Sequence, residues 1–320
     1  MKRIILSLAL GFMLFSCSSD DNNKEENKEN KENKKYQTEN VVLLVIDGPR
    51  ITETWQEKNQ VHIPNRVALL KEGVYISNFR NNGLTNTNAG HTALITGVYD
   101  SIQNNGKELP TNPSVLQQWL KHSKKDNSKA WVIVSKDKLE VLNNTKNKEW
   151  NGKYMPKADA GISGNPSGYR EDAVTIANFK EVIKKDKPNV VVINLKDVDS
   201  YGHANKWSEY IQAIKTTDQS IKDIWNFLQS QPEYKGKTTL MVSNDHGRHS
   251  DGIKDSFVNH GDACIGCRHI EFFAMGPDFK KNAVIATGSY EQIDVANTMA
   301  ELLGVKLEYS KGKVIKDIFK

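Results

Sequence analysis

The sequence has few cysteines, no strong excess of charge and, after residue 15, no long apolar run. Only three of its 320 residues are cysteine, which excludes a disulfide-rich scaffold. The formal charge of +5 is spread along the chain and offers no patch for nucleic acid. No later apolar run is long enough for a transmembrane helix. These absences leave an ordinary globular domain as the main content of the chain.

The beginning of the chain has the pattern of an export signal. Lys2 and Arg3 precede an apolar run over residues 4–15, too short to span a bilayer and flanked as secretory signals are. The run ends at Ser16-Cys17, the form of a bacterial lipoprotein box. We therefore expect cleavage before Cys17, acylation of its sulfur with chains such as palmitate, and an exported protein held by lipid to a bacterial membrane. The predicted location is the outer membrane, facing the periplasm or the cell surface; an ordinary signal peptide is the alternative.

The sequence predicts three segments. Residues 1–16 are the signal peptide, residues 17–39 are the lipidated cysteine with a tether, and residues 40–320 are the folded domain. The tether repeats Lys-Glu-Asn units with almost no apolar side chain, so it cannot offset the entropy of ordering. The third segment is long enough for one large domain with a small cap. The sequence makes no prediction of oligomeric state.

Short apolar runs that end in polar residues recur along the folded segment. They are residues 41–46, 74–79, 131–134, 190–195, 238–243 and 270–275. Such runs suit strands buried on both faces of a parallel sheet, and helical periodicity lies between them. The predicted fold is a three-layer α/β/α sandwich around a mainly parallel sheet. Residues 143–169 lack this pattern and are predicted to form a loop or small cap.

Carboxylate and imidazole side chains follow several of the predicted strands. They are Asp47, Asp199, His203, Asp245, His246 and, somewhat later, His260. Because sites form at the carboxyl ends of parallel strands, we expect these side chains to converge. Three carboxylates and three imidazoles make a donor set suited to zinc. For any single residue of the set, capping of a helix is the alternative.

Thr87 stands where another apolar helix is predicted to begin. A hydroxyl there faces the positive end of the helix dipole. Beside a metal ion, such a hydroxyl can lose its proton and attack phosphorus. The alternative is that Thr87 only caps the helix.

The order of these elements resembles that of the alkaline phosphatase superfamily, most closely type I phosphodiesterases/nucleotide pyrophosphatases and related phosphatases. The matching elements are Val-Ile-Asp47-Gly, Thr87 with Gly-His-Thr-Ala-Leu-Ile-Thr-Gly97, Asp199-x-x-Gly-His203, Asn-Asp245-His246-Gly and His260-Gly261. The resemblance extends from about Val41 to Gly304. It implies an alkaline phosphatase-like fold and the hydrolysis of a phosphate ester, either a diester or a monoester. The substrate would be a small molecule or a lipid head group.

The resemblance also implies two divalent metal ions, with zinc as the expected metal. One ion would be held by Asp47, Thr87, Asp245 and His246. The other would be held by Asp199, His203 and His260. Thr87 would carry the phosphoryl group in a covalent intermediate.

Further polar residues near these motifs are candidates for supporting roles. Asn105, or its neighbour, and Arg248 are candidates for contacts with the phosphoryl group, with a turn and a solvated loop as the alternatives. Lys136 follows a predicted strand and is interpreted as a solvated lysine. Cys264 and Cys267 are predicted to form a short disulfide in an oxidising compartment. A third zinc site there would need two more ligands, which the sequence does not assign.

Three other functions compete with phosphate-ester hydrolysis. A sulfatase of the same superfamily needs a cysteine or serine that is oxidised to formylglycine, and Thr87 cannot form that aldehyde. A phosphomutase carries a large inserted domain, whereas residues 88–198 must contain core elements of the predicted fold. A non-catalytic binding lipoprotein is the third competitor, and the intact ligand set argues against it.

Overall fold

The computed structural model describes residues 35–162 and 168–320. The predicted signal peptide, Cys17 and the tether up to residue 34 lie outside the described residues. The folded unit begins at Tyr36, slightly before the predicted boundary at residue 40. The Tyr36 hydroxyl donates to Glu301 Oε1 at 2.8 Å, and the Thr38 amide donates to Asp278 Oδ2 at 2.8 Å. These bonds attach the last residues of the predicted tether to the domain.

Each of the six predicted apolar runs forms a strand, and two short strands that were not predicted bring the described sheet to eight. The strands are β1 (Asn40–Ile46), β2 (Gly73–Arg80), β3 (Ala130–Val134), β4 (Lys157–Ala160), β5 (Val190–Leu195), β6 (Thr238–Asn244), β7 (His269–Met275) and β8 (Ala283–Ile285). They make one sheet in the order β4-β3-β5-β1-β6-β7-β2-β8. Among the described residues, β7 is antiparallel to both of its neighbours, β6 and β2, and the other neighbouring strands pair in parallel. The sheet is therefore mainly parallel, as predicted.

Helices cover both faces of the sheet. They are α1 (Pro64–Leu69), α2 (Thr87–Thr96), α3 (Val115–Ser123), α4 (Asp172–Asp186), α5 (Asp197–His203), α6 (Trp207–Ser230), α7 (Ile265–Arg268) and α8 (Asp294–Leu302). Val41, Leu43 and Val45 of β1 belong to one core cluster with side chains of α2, α3 and α8. Val42 and Leu44 belong to a second cluster with α4 and α6. Alternate residues of one strand therefore face opposite helical layers, which confirms the three-layer α/β/α fold.

Of the predicted cap at residues 143–169, residues 144–156 form a loop packed on α3, residues 157–160 form a strand that the sequence did not predict, and residues 163–167 lie outside the described residues. Trp150 is buried in the loop, and the ammonium group of Lys121 lies 4.2 Å from the centre of its ring. The side-chain amide of Gln117 donates from Nε2 to the carbonyl oxygen of Lys153 at 3.1 Å, which fastens the loop to the helix. The loop then leads into the edge strand β4. None of the helices in the described ranges combines the length and the apolar character that crossing a membrane requires.

Candidate active site

Three adjacent strands carry the predicted ligands to one edge of the sheet. Strands β5, β1 and β6 lie side by side and run parallel. Asp47 follows β1, Asp199 lies in α5 directly after β5, and Asp245-His246 follows β6. Because the carboxyl ends of parallel neighbours meet at the same edge, residues distant in sequence come together there.

Helix α2 brings Thr87 to this edge. Thr87 is its first residue and is 1% exposed. The helix can approach the end of β6 because residue 90 is glycine: an added Cβ would lie 2.3 Å from the carbonyl oxygen of Asp245. The His91 ring donates from Nδ1 to the Thr87 carbonyl oxygen at 2.8 Å, so His91 braces the first turn of the helix. The glycine and the histidine thus fix the position of the hydroxyl.

One group of donor atoms is formed by Asp47, Asp245 and His246, which are all fully buried. His246 Nε2 lies 3.5 Å from Asp47 Oδ1 and 3.4 Å from Asp245 Oδ2. These three atoms have no hydrogen-bond partner. Buried polar atoms without partners are costly, and their convergence within 4.8 Å fits a bound cation.

A second group of donor atoms adjoins the first. Asp199, His246 and His260 present donor atoms within 4.8 Å of one another. His203, which is 42% exposed, places Nε2 at 3.3 Å from Asp199 Oδ1 and 3.1 Å from His260 Nε2. Every predicted metal-ligating carboxylate and imidazole therefore lies in one continuous cluster, which opens to solvent beside His203.

The rings of His203, His246 and His260 are oriented in the way that is typical of metal-ligating histidines. In each, Nδ1 faces an oxygen: Asn259 Oδ1 at 3.0 Å for His203, the Gly247 carbonyl at 3.0 Å for His246, and the Thr85 carbonyl at 2.7 Å for His260. A ring that donates from Nδ1 keeps the lone pair on Nε2, and all three Nε2 atoms face the cluster. The donor chemistry therefore fits divalent metal ions.

The electrostatics of the cluster favour the metal-binding forms of its histidines. Burial lowers the pKa of His246 well below its usual value and that of His260 to about 4, so both rings are neutral at physiological pH. Burial, followed by the charge of Asp47, raises the pKa of Asp245 to about 6. A cation between Asp47 and Asp245 would relieve this repulsion between the two carboxylates.

Lys136 lies at the centre of the cluster, although the sequence suggested a solvated lysine. Its side chain is 2% exposed, and Nζ lies 2.9 Å from Asp47 Oδ2, 2.6 Å from Asp199 Oδ2 and 3.3 Å from Thr87 Oγ1. Burial opposes the charged form, but the Asp199 and Asp47 carboxylates outweigh it and raise the pKa of Lys136. The solvated interpretation was therefore wrong. The available signal was the position of Lys136, directly after β3 at the same edge of the sheet.

Arg248 is buried and positions other residues of the site. Its guanidinium donates to Asp199 Oδ1, to the Phe257 carbonyl oxygen, and to the Val258 carbonyl oxygen at 2.6 Å. Burial alone would raise the pKa of Asp199, but Lys136 and Arg248 hold that pKa well below its usual value. The guanidinium is thus occupied by protein acceptors, and its placement does not support the predicted contact with phosphate.

Asn105 and the two cysteines lie apart from the cluster. The exposed Asn105 bonds to Gln103 Oε1 at 2.8 Å and accepts from the Lys107 amide at 3.0 Å, as a turn residue does. Its placement therefore does not support a phosphoryl contact. Cys264 and Cys267 are separate thiols in this structure, and the predicted disulfide is not formed.

Asn104, the neighbour of Asn105 that the sequence also offered, does reach helix α2. Its Oδ1 accepts the amide N–H of Asn88 at 3.0 Å, one residue after Thr87. It caps the first turn of α2.

Comparison with known proteins gives the same fold. A family model described as the metalloenzyme superfamily matches residues 39–307. Human GPI ethanolamine phosphate transferase 1 is 26% identical over 226 residues, which are 65% of this chain and 24% of that protein. The chain thus spans about a quarter of the length of this relative.

Solved structures with the same fold include esterases of two kinds. Murine ectonucleotide pyrophosphatase/phosphodiesterase 5, an inactive variant in complex with AMP, superposes with a TM-score of 0.63 at 14% identity, covering 88% of this chain and 100% of that one. A sulfatase from Pseudoalteromonas superposes with a TM-score of 0.61 at 14% identity, covering 92% of this chain and 73% of that one. At these identities the likeness establishes the fold alone.

Proposed function

The chain belongs to the metalloenzyme superfamily, the alkaline phosphatase-like group, and from this membership we propose that it hydrolyses phosphate esters at Thr87 with two divalent metal ions. The observation that carries the proposal is the convergence of a buried hydroxyl at the start of α2 with unpartnered carboxylate oxygens of Asp47 and Asp245 and the unpartnered Nε2 of His246. Such an arrangement places a nucleophile beside groups that can bind cations, and those cations would stabilise the negative charge of a phosphoryl group.

The proposed ligands follow the two groups of donor atoms, with His246, which belongs to both groups, assigned to the first and His203 added to the second. Asp47, Asp245 and His246, with Thr87, would hold one ion, and Asp199, His203 and His260 the other. The mixture of carboxylate and imidazole donors favours zinc. When bound, divalent cations supply Lewis acidity and neutralise charge on the reacting oxygens.

The residues of the chain account for a two-step hydrolysis. Thr87 Oγ1 attacks phosphorus and loses its proton to solvent, the bond from phosphorus to the leaving oxygen breaks, and that oxygen takes up a proton from solvent, so that the leaving group departs as an alcohol. Water then attacks the phosphoryl group on Thr87, releases phosphate or a phosphomonoester, and restores the hydroxyl. Lys136, 3.3 Å from Thr87 Oγ1, stabilises negative charge on the nucleophile and on the phosphoryl oxygens. The substrate enters beside His203, where the cluster reaches solvent.

Transfer of a phosphoryl-linked group to an alcohol is a second candidate function. The observation in its favour is the similarity to GPI ethanolamine phosphate transferase 1. The same intermediate on Thr87 would serve, with an alcohol replacing water in the second step. Turnover in the presence of ethanolamine or glycerol separates the two functions, because transfer yields a new phosphodiester and hydrolysis does not.

Replacement of Thr87 tests the proposed nucleophile. Thr87→Ala should lower the hydrolysis of chromogenic phosphate esters on the order of 10³-fold, while Thr87→Ser should keep a measurable fraction because it retains the oxygen. Thr92→Ala, a second buried threonine of the same helix, is the matched control and should retain activity. Acid quenching during turnover should trap phosphate on Thr87 in the wild-type protein.

Metal content must be measured beside activity in this experiment. If Thr87→Ala hydrolyses phosphate esters at the wild-type rate with its metal ions bound, the covalent mechanism is wrong. If sulfate esters alone are hydrolysed, the assignment to phosphate is wrong. A panel of chromogenic monoesters, diesters and sulfate esters gives these answers and defines the preferred class of substrate.

A further inference from the structure

A second cluster of metal-binding side chains lies in the segment that joins His246 to β7. It consists of His249, Asp262, Cys264 and Cys267, and one donor atom from each lies within 4.8 Å of all the others. None of the four belongs to the cluster around Thr87. We propose that this second cluster is a structural zinc centre, independent of the catalytic ions.

The cysteines are arranged to share an ion. Cys264 precedes the short helix α7 and Cys267 lies within it, so that the Cys267 amide donates to Cys264 Sγ at 3.3 Å. A Cys-x-x-Cys turn of this kind places both sulfur atoms on one side of the chain, the spacing found in structural zinc sites. Cys267 is fully buried and Cys264 is half-buried, so an ion bound here would be shielded from solvent.

His249 supplies the observation that points most directly to a ligand. Its side chain is 4% exposed, and Nδ1 lies 2.7 Å from Asp255 Oδ1, to which it donates. Nε2 therefore carries the lone pair, and it is buried without a hydrogen-bond partner. A carboxylate that orients a histidine from behind is the usual outer partner of a metal-ligating imidazole. Here Asp255 has that place, and the Asn259 amide holds Asp255 in turn.

Asp262 completes the set of four. Its Oδ1 accepts the Cys264 amide at 2.9 Å, while Oδ2 lies 3.3 Å from His249 Nε2. The exposed ammonium group of Lys254 lies 2.7 Å from the same Oδ2, on the solvent side. Two thiolates and one carboxylate around a divalent ion leave one negative charge, which Lys254 balances. The cluster therefore has a complete ligand set and charge balance for one Zn²⁺.

The chemistry of the donors selects both the metal and its role. Two thiolates favour zinc over magnesium or calcium, and four protein ligands leave no open position for a substrate. The centre would brace the segment that carries His246 and His260. The Gly247 amide donates to the Cys267 carbonyl oxygen at 2.8 Å, and Thr85 Oγ1 donates to the Asp262 carbonyl oxygen at 2.8 Å. His246 directly precedes the attached residue Gly247, and His260 lies two residues before the attached residue Asp262.

Metal counting tests the centre without depending on activity. All samples carry Cys17→Ser, so that Cys264 and Cys267 are the only thiols. The Cys264→Ser/Cys267→Ser variant and the His249→Ala variant should each contain one zinc ion fewer per chain than the parent. His122→Ala, an exposed histidine elsewhere, is the control and should lose none. The difference of one ion is expected whether or not the proposed catalytic ions are present.

Cobalt gives a second readout that only this centre can produce. When stripped protein is titrated with Co²⁺, the near-ultraviolet charge-transfer band of a cobalt–thiolate bond should reach its full height with one ion per chain. The Cys264→Ser/Cys267→Ser variant should lack the band, whereas the catalytic ligands contain no sulfur and contribute none. An unchanged zinc content in the variants, no thiolate band in the parent, or a mass showing an intact disulfide in the zinc-loaded protein would each overturn the proposal.

Discussion

At the scale of single residues, Lys136 supplies a fixed positive charge between two carboxylates. Asp47 and Asp199 belong to different predicted metal sites, and the ammonium group contacts both while facing Thr87. A buried charge with three such neighbours is costly to displace, because removing one member leaves the others uncompensated. Lys136 therefore joins the two halves of the site and places positive charge where phosphoryl oxygens would lie.

Replacement of Lys136 should separate catalysis from metal binding. Lys136→Met keeps the length of the side chain and removes its charge, so hydrolysis should fall by about 10²-fold. Metal content should stay the same or rise, since Asp47 and Asp199 lose a competing cation. Activity and elemental analysis on the same preparation check both parts of this prediction.

Lys138→Met is the matched control for that change. Lys138 lies two residues further on, and its ammonium group bonds to Asn104 Oδ1 at 3.1 Å instead of to the carboxylates. Its replacement should have little effect on activity. If Lys136→Met loses its metal ions as well as its activity, the lysine supports the structure of the site and does not act in catalysis.

The positions of the predicted carboxylate ligands could be predicted from the sequence, whereas the buried position of Lys136 could not. Asp47, Asp199 and Asp245 each follow a strongly apolar strand, and the rule for parallel sheets places them together. Lys136 follows β3 in the same way, but a lysine after a strand is usually solvated, and only the order β3-β5-β1 brings it inward. Strand order depends on pairing between distant segments, which the local pattern does not encode.

At the scale of secondary-structure elements, one buried ion cluster joins α1, α6 and β7. Arg66 Nε lies 2.9 Å from Asp218 Oδ1, and its Nη1 bonds to Glu271 Oε2; all three side chains are buried. Asp218 also accepts the Asn65 amide at 2.8 Å, which caps the start of α1. Burial raises the pKa of Glu271, while Arg66 counteracts part of that rise. The guanidinium thus compensates two carboxylates from different elements.

Removal of Arg66 should destabilise the domain. Arg66→Met leaves two buried carboxylates without a counter-charge, so the free energy of unfolding should fall by about 3–5 kcal/mol at neutral pH. Without Arg66, the folded-state pKa of Glu271, which burial already raises, would rise further above that of the unfolded chain. Stability contributed by such groups is present at low pH and is lost as pH rises through the folded-state pKa. The deficit should therefore shrink toward about pH 4, near the unfolded-chain values.

Denaturant unfolding at several pH values checks this prediction. Lys184→Met is the control, because the Lys184–Glu181 pair is exposed, and it should change stability by less than about 1 kcal/mol. A deficit for Arg66→Met that does not depend on pH would show that lost packing, and not the uncompensated carboxylates, is responsible.

The elements that the sequence did not predict share a physical cause. Strand β4 has the sequence Lys-Ala-Asp-Ala and β8 has only three residues, so neither has the apolar run of a central strand. Both lie at the edges of the sheet, where one side of the strand is unpaired and the pattern weakens. The reversed direction of β7 was equally hidden, because a buried strand is apolar whichever way it runs.

At the scale of the whole molecule, the folded unit is anchored from its first residues. The bonds of Tyr36 and Thr38 to Glu301 and Asp278 tie the beginning of the domain to segments near its end. We propose that the preceding residues carry the protein to the membrane and hold it there through Cys17.

Acylation and catalysis should therefore be separable. The Cys17→Ser protein should fail to incorporate labelled palmitate and should leave the detergent phase, while its hydrolytic activity is unchanged. A chain beginning at residue 36 should keep the unfolding midpoint of the full-length protein, and a chain beginning at residue 41 should be less stable because Tyr36 and Thr38 are lost. Equal palmitate labelling of the Cys17→Ser and parent proteins would contradict the lipid anchor.

The strand order also has a consequence for when the protein can fold during its synthesis. The central strand β1 is made first but pairs with β5 and β6, whose residues lie well over a hundred positions later. Closing such long loops slows folding, and an incomplete chain cannot form the middle of the sheet. The segment that supplies Asp245, His246 and His260 is synthesised late, so a nascent chain cannot assemble the cluster. Activity can therefore appear only when almost the entire chain is available to fold.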